Sequence, residues 1–155
     1  QLTRDQVEQQ VDGAGPGMLS HVLSSCDASL PKSPIAFEIA KSWMPSKDPV
    51  RRSCGYGLVY ELAKDQKDKR LTDEFFLGCV ERIGKTIAKE ENRVRVGMGG
   101  ALMSIGKRNK KLNAAAMEVA KAIGPIHFSD GDKKCEPMNV LKHLTSDYLR
   151  NKLGI

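Results

Sequence analysis

A pattern that recurs after 44 residues restricts the fold of this 155-residue chain more than any other feature. Residues 91–111 read ENRVRVGMGGALMSIGKRNKK, and a shift of 44 positions places residues 48–67 over their last 20 positions. The shift superposes like residues at five places: Val50 on Val94, Arg51 on Arg95, Gly55 on Gly99, Leu58 on Leu102 and Lys67 on Lys111. Two copies of one structural unit, stacked side by side, are the simplest explanation of this echo.

The second copy has the periodicity of a buried helix. Its apolar residues Val94, Met98, Ala101, Leu102 and Ile105 recur at helical spacing. Aromatic residues make up only 5% of the chain, and good helix formers fill the other periodic segments. Helical repeats of about 40–47 residues are typical of HEAT and armadillo arrays. We therefore predict an all-α, HEAT-like helical repeat solenoid, an α-α superhelix of antiparallel helix pairs.

Three glycines, Gly97, Gly99 and Gly100, lie inside this helix. Each destabilises a helix by about 1 kcal/mol relative to alanine. The close approach of another backbone would compensate for this loss, and that backbone belongs either to a neighbouring helix or to a bound polyanion.

Turn and capping residues divide the rest of the chain into further helices. We predict Ser33, Asp48 and Thr72 as N-caps, with Pro34 at the first position of its helix. The other predicted helices cover residues 2–11, 18–30, 35–44, 50–64, 73–89, 112–123 and 137–153. We expect a single repeat domain over residues 1–155, which is compatible with the C-terminal part of a longer array.

The net charge of +6 is unevenly distributed. Residues 1–45 carry three basic and five acidic side chains, a sum of −2, whereas the remainder carries 22 basic and 14 acidic ones, a sum of +8. Such asymmetry is typical of a protein that binds a polyanion, although a well-solvated basic surface would look the same.

The four cysteines are far apart and form no C-x-x-C pair, so we expect reduced thiols in an intracellular protein. His127 and Cys135 flank one loop, but two ligands do not make a metal site, and we predict neither a metal nor another cofactor. No signal peptide is visible in the given sequence, and no apolar run reaches about 18–20 residues. We therefore expect a cytoplasmic protein without a membrane span.

Short motifs then follow one another in a recognisable order. They are WMPSKDPVRR at residues 43–52, GYGL at 55–58, LAKD at 62–65, NRVR at 92–95, GAL at 100–102 and RN at 108–109, followed by Gly131, Cys135 and Pro137. Over roughly residues 40–145 this series resembles the DNA alkylation repair family of HEAT-like alkylpurine DNA glycosylases (AlkD-like proteins).

The resemblance implies a short right-handed stack of helix pairs whose concave basic face cradles double-stranded DNA through its backbone. Active members of that family hydrolyse the N-glycosidic bond of positively charged N3- or N7-alkylpurines without moving the base into a deep pocket. An aspartate stabilises the developing oxocarbenium charge and positions water, framed by aromatic residues that contact the sugar-phosphate backbone.

Carried over by position, the family's site residues are only partly present. The segment that has Trp followed by Asp in the family matches residues 13–18, which contain neither, so the nearest acid, Asp12, is the candidate catalytic carboxylate. The second aromatic position matches Gly100, and the family's arginine matches Arg52 within one residue. One carboxylate is the minimum that a cationic sugar needs, so the resemblance supports DNA binding better than glycosylase chemistry.

The candidate DNA-binding residues are long basic side chains near helix ends and one tyrosine between two glycines. They are Arg52, Tyr56, Arg93, Arg95, Lys107, Arg108, Lys110 and Lys111. Arg95, like Arg51, has a structural alternative, a bond between adjacent repeats, and for Tyr56 the alternative is packing in the core.

Three functions remain open at this point. The chain is a DNA-binding member of this family, an enzyme that removes alkylpurines, or a non-catalytic helical scaffold for DNA or an acidic protein partner. In each case we expect a monomer, and for the first two the partner is double-stranded DNA held by backbone contacts.

Overall fold

The structure, a computed structural model, describes residues 1–15, 18–25, 27–128 and 135–155. Gly17, Cys26 and Gly131 lie outside these ranges. Two short 3-10 helices, Leu30–Lys32 and Ile87–Lys89, precede α3 and α6. The α-helices within the described ranges are α1 Arg4–Ala14, α2 Met18–Leu23, α3 Ala36–Trp43, α4 Pro49–Leu62, α5 Asp73–Thr86, α6 Asn92–Ile105, α7 Lys110–Ile123, α8 Val140–Leu144 and α9 Asp147–Leu153.

The helices form two layers that alternate along the chain. In the even layer, α4 packs against α2 on one side and α6 on the other, and α6 packs in turn against α8. The odd-numbered helices α1, α3 and α7 each pack against the even helix that follows them, and α5 packs against α7. The predicted all-α repeat of helix pairs is therefore confirmed, and the two echoing segments are the neighbouring helices α4 and α6.

Polar side chains fix the starts of the long helices. The Asp48 side chain accepts a hydrogen bond from the Val50 N–H at 3.0 Å, and Thr72 accepts one from Phe75 at 3.2 Å. Both predicted caps are confirmed. Ser33 does not cap α3 but follows the 3-10 helix Leu30–Lys32, and its backbone N–H donates to the Leu30 carbonyl.

Two predicted helices are shorter than the sequence pattern indicated. The helix predicted over residues 18–30 ends at Leu23, where the Ser25 hydroxyl donates to the Val22 carbonyl at 2.9 Å. The helix predicted over residues 137–153 is interrupted between α8 and α9, where Thr145 donates in the same way to the Leu141 carbonyl. Ser and Thr hydroxyls compete with backbone N–H groups for these carbonyls and weaken the helix locally.

The glycines of α4 and α6 allow close helix packing. A Cβ atom on Gly97 would lie 3.2 Å from the Ser53 carbonyl oxygen of α4, and one on Gly55 would lie 2.9 Å from the Met44 backbone nitrogen. A Cβ on Gly99 would meet the Ile126 side chain instead. For Gly97, a neighbouring helix is therefore the backbone that compensates for the weak helix propensity.

The segment after α7 returns to the even layer. Ile126 and Met138 form an isolated antiparallel bridge with backbone hydrogen bonds of 2.9 and 2.7 Å. Their side chains pack over Gly99, while Leu144 of α8 packs over Gly106. Among the described helices, none has the length and apolar character needed to cross a membrane.

Candidate nucleic-acid interface

One arginine at the start of α4 connects this helix to α1. The Arg51 guanidinium donates to Asp48 at 2.9 Å, to Glu8 at 3.0 Å and to Asp12 at 2.7 Å. Burial acts to raise the pKa of Asp48, but hydrogen bonds from Val50 and Arg51 outweigh it and lower that pKa. The structural alternative therefore applies to Arg51, which holds two repeats together.

Asp12, the candidate catalytic carboxylate, belongs to this ion-pair cluster. It lies in the last turn of α1, and its side chain is 65% exposed. One carboxylate oxygen, Oδ1, accepts the bond from Arg51, and Oδ2 has no hydrogen-bond partner among the described residues. Asp12 thus has one oxygen held in place by Arg51, on a side chain that is largely exposed.

Arg52 forms the second connection between repeats. It makes a two-pronged pair with Glu90 at 2.8 and 2.9 Å, and it donates to the carbonyls of Ser46 and Lys47 at 3.0 and 2.9 Å. The side chain of Glu90 is only 11% exposed. The guanidinium of Arg52, one of the predicted DNA-binding residues, is therefore held by contacts within the protein.

Arg95 and Tyr56 also have structural partners. Arg95 donates to the carbonyls of Ile87 and Ala88, in the 3-10 helix that precedes α6, at 3.2 and 3.1 Å. Tyr56 is 1% exposed, and burial raises the pKa of its hydroxyl. A buried ring cannot reach a sugar, so the packing alternative applies to Tyr56.

Arg108 joins two turns that lie next to each other. Its guanidinium donates to the carbonyls of Ala63 and Asp65 at 2.8 and 2.7 Å and lies 4.5 Å from the centre of the Phe76 ring. Burial lowers the pKa of Arg108, and no carboxylate in the described ranges is within ion-pair distance of it. Its positive charge is therefore stabilised at close range by peptide carbonyls and the Phe76 ring, and Asp73 and Asp65 act on it from farther away.

The lysines around Arg108 make this turn strongly basic. Lys107, Lys110 and Lys111 are exposed, and none of them has an ion-pair partner among the described residues. Lys110 and Lys111 begin α7, which has no acidic residue in its first turn. Because the N-terminus of a helix is itself positive, these charges reinforce one another. We name Lys107, Arg108, Lys110 and Lys111 the α7 basic cluster.

The predicted cations do not all meet on one surface. Arg93 lies in the first turn of α6, and Lys107 follows its last turn, so the two are separated by roughly 21 Å along the helix. At the Arg93 end, the neighbouring arginines are neutralised by Glu8, Asp12, Asp48 and Glu90. Of the predicted cations, Lys107, Lys110 and Lys111 are exposed without an ion-pair partner in the described ranges, and all three lie at the other end, in the α7 basic cluster.

Tyr60 is a candidate that the sequence pattern did not single out. It lies half-buried on α4, its ring is next to Gly100, and the Lys64 ammonium is 4.2 Å from the ring centre. The helical spacing of Ser53, Tyr60 and Lys64 is the sequence signal that places Tyr60 on one face of α4, whereas Tyr56, between two glycines, is buried.

The thiols do not form a reactive or metal-binding centre in the described ranges. Burial raises the pKa of Cys54 to about 11 and that of Cys79 to about 12, whereas Cys135 is exposed. No group of three or more His, Cys, Asp or Glu side chains in the described part of the chain could hold a metal ion.

Two curated proteins are similar to this chain. Uncharacterized protein Lmo0209 of Listeria monocytogenes is 25% identical over 117 residues, and uncharacterized protein Lin0241 of Listeria innocua is 24% identical over 119 residues. The matches cover 76% and 77% of this chain but 49% of each relative. The chain thus spans about half the length of the curated relatives it matches.

A solved structure and a family model agree with the fold. The structure is described as a new family of proteins related to the HEAT-like repeat DNA glycosylases with affinity for branched DNA structures. It aligns with this chain at a TM-score of 0.82 and 24% sequence identity. The match covers 99% of this chain and 65% of the solved chain, and it confirms the HEAT-like solenoid. Residues 10–129 match the model of the family described as DNA alkylation repair enzyme. Since that match covers most of the sequence, the chain belongs to the DNA alkylation repair enzyme family.

Proposed function

We propose that this protein binds double-stranded DNA through the phosphate backbone, with the α7 basic cluster as its main contact. The observation that carries the proposal is the uncompensated charge of this cluster: three exposed lysines surround an arginine that has no carboxylate partner within the described residues. Exposed lysines at the start of a helix are well suited to phosphate oxygens. Membership of a DNA repair family and the DNA affinity stated for the similar solved structure support the same partner.

Phosphate binding by lysines releases counterions, so affinity must fall as salt rises. Each phosphate contact contributes about 0.9 to the slope of log affinity against log salt concentration. Fluorescence anisotropy with a labelled linear duplex, at salt concentrations between about 50 and 200 mM, measures this slope. The same titration with a four-way junction tests whether this chain, like the similar solved structure, has affinity for branched DNA.

The decisive variant combines Lys107→Gln, Lys110→Gln and Lys111→Gln. It should weaken DNA binding and reduce the slope by about 3, because three contacts are lost. A control variant of equal charge replaces three exposed lysines that pair with a carboxylate on their own helix, namely Lys41, Lys85 and Lys121. Equal losses in both variants would contradict a localised interface. Absence of any salt-dependent DNA binding in the wild type would leave the protein-scaffold hypothesis.

Hydrolysis of alkylpurines is a second candidate function, which one observation favours. The cluster around Arg51 combines three carboxylates with two guanidinium groups, because Arg4 also pairs with Glu8 at 3.4 Å, and the Asp12 side chain is 65% exposed. Excess negative charge of this kind suits a cationic sugar. Release of 7-methylguanine from alkylated DNA measures the activity. Asp12→Asn keeps the side-chain oxygen for Arg51 and should reduce the release about 100- to 1000-fold. Release no faster than the spontaneous rate in the wild type would remove this function.

A further inference from the structure

The open face of the even layer carries a strip of residues that is neutral at its centre. On each of the two central helices the outward residues recur at intervals of three or four positions, and all are half-buried or exposed. They are Ser53, Gly57 and Tyr60 on α4 with Lys64 two residues after its end, and Val96, Gly100 and Met103 on α6 with Lys107 two residues after its end. Gly57 itself is covered by the Ser24 side chain. Charge appears at the two ends of the strip, with Lys64 and Lys107 at one end and Arg93, three residues before Val96, at the other. The centre of the strip has no positive charge to bind a phosphate group, but its apolar side chains can contact a flat apolar group.

Tyr60 lies at the middle of this strip, half-buried, with a glycine beside its ring on the α6 side. Gly100, which faces it across the helix boundary, has no side chain, and a Cβ atom there would be 3.7 Å from Tyr60 Cδ2. Val96 and Met103 are partly buried and extend the apolar surface on the α6 side. The backbone beneath Tyr60 is held firmly, because the Ser104 hydroxyl donates to its carbonyl at 2.7 Å.

We propose that this strip stacks an unpaired nucleobase on Tyr60, while the neighbouring phosphate contacts Lys107. The inference rests on the proposed DNA binding and names the form of DNA that the site prefers. In an intact duplex the faces of the bases are covered by their neighbours, whereas a gap or bulge exposes them. A base has a flat aromatic face that suits a tyrosine ring beside a valine and a methionine.

Lys64 is the one side chain that must move. Its ammonium lies over the Tyr60 ring and contacts both carboxylate oxygens of Glu61 at 2.9 Å. The side chain is exposed and long, so it can turn from the ring to a phosphate when a base takes its place. The strip then presents an aromatic face and two lysines to one nucleotide.

The test compares an uninterrupted duplex with the same duplex containing a short gap in one strand, in which one unpaired base is 2-aminopurine. Anisotropy gives both affinities, and quenching of 2-aminopurine fluorescence reports stacking. The wild type should bind the gapped duplex more tightly. Tyr60→Leu should reduce affinity for it roughly 5- to 100-fold, the range of one stacked base, and abolish the quenching. Tyr60→Phe keeps the ring and should retain both.

A second variant covers the strip without removing the tyrosine. Gly100→Leu places a side chain beside Tyr60 on the open face and should weaken binding of the gapped duplex without lowering the Tm. Neither strip variant should change affinity for the uninterrupted duplex. Equal affinity of the wild type for both duplexes, with normal salt dependence, would overturn this inference and leave backbone binding intact. No binding to either duplex would overturn both proposals.

Discussion

Replacement of Arg52 by methionine tests whether this arginine serves the fold or the DNA. The substitution keeps most of the apolar stem and removes four hydrogen bonds, two to Glu90 and two to the carbonyls of Ser46 and Lys47. Glu90, at 11% exposure, then loses its ion-pair partner. The sequence pattern predicts that Arg52 contacts DNA, whereas its hydrogen bonds indicate a role in stability. The two roles predict different outcomes for this substitution.

The size of the effect follows from burial. Removing one partner of a fully buried pair costs about 3–5 kcal/mol, whereas exposed pairs contribute about 0–1 kcal/mol. The side chains of Arg52 and Glu90 are 21% and 11% exposed, closer to the buried limit. We expect a loss of about 3 kcal/mol in the free energy of unfolding. In a chain of this size that loss lowers Tm by roughly 6–12 °C.

Thermal unfolding followed by circular dichroism measures the change. Lys89→Met, an exposed lysine next to Glu90, is the control and should alter stability by less than about 0.5 kcal/mol. A double-mutant cycle with Glu90→Gln should show that the two losses are not additive. Arg52→Met should leave the salt dependence of DNA binding unchanged. A normal Tm together with weaker DNA binding would refute the structural role.

Three further predictions concern the fold. Gly78→Ala should stabilise the protein by about 1 kcal/mol, because a Cβ atom there meets nothing within 4 Å. Gly55→Ala should destabilise it by about 1–3 kcal/mol, because the new Cβ atom would lie 2.9 Å from a backbone nitrogen. Urea unfolding measures both changes. Under native conditions a thiol reagent should modify exposed Cys135 but not buried Cys79, whose raised pKa keeps it protonated, and unfolding should remove the difference. The lowered pKa of Asp48 contributes stability above its unfolded pKa of about 3.9, which is lost as pH falls through the folded value. Asp48→Asn, which still caps α4, should therefore flatten the decline in Tm below about pH 4, and an unchanged acid profile would contradict this reasoning.

Local chemistry made most of the architecture predictable. Asp48 and Thr72 cap helices because a short polar side chain before a periodic segment can accept from its free N–H groups, whatever the rest of the chain does. The breaks after Leu23 and Leu144 were missed for a related reason. Ser and Thr hydroxyls at those places bond to carbonyls one turn earlier, a competition that apolar periodicity does not register.

The interface was less predictable, because basic residues look alike in sequence. Arg52 and Arg108 both stand near helix ends, yet one is paired with a carboxylate 38 residues away and the other with carbonyls up to 45 residues away. Lys107 and Lys110 have the same local setting and reach solvent instead. Nothing in the neighbouring residues distinguishes these outcomes.

The sequence by itself determined the repeat, its helices and the family, since the 44-residue echo and the capping residues act over short distances. Only the tertiary structure decided which cations are neutralised and which stay open to a polyanion. It also placed Tyr60 rather than Tyr56 on the open face. The physical reason is that the partners of a long side chain are set by the packing of one repeat against the next, and a single repeat does not contain that information.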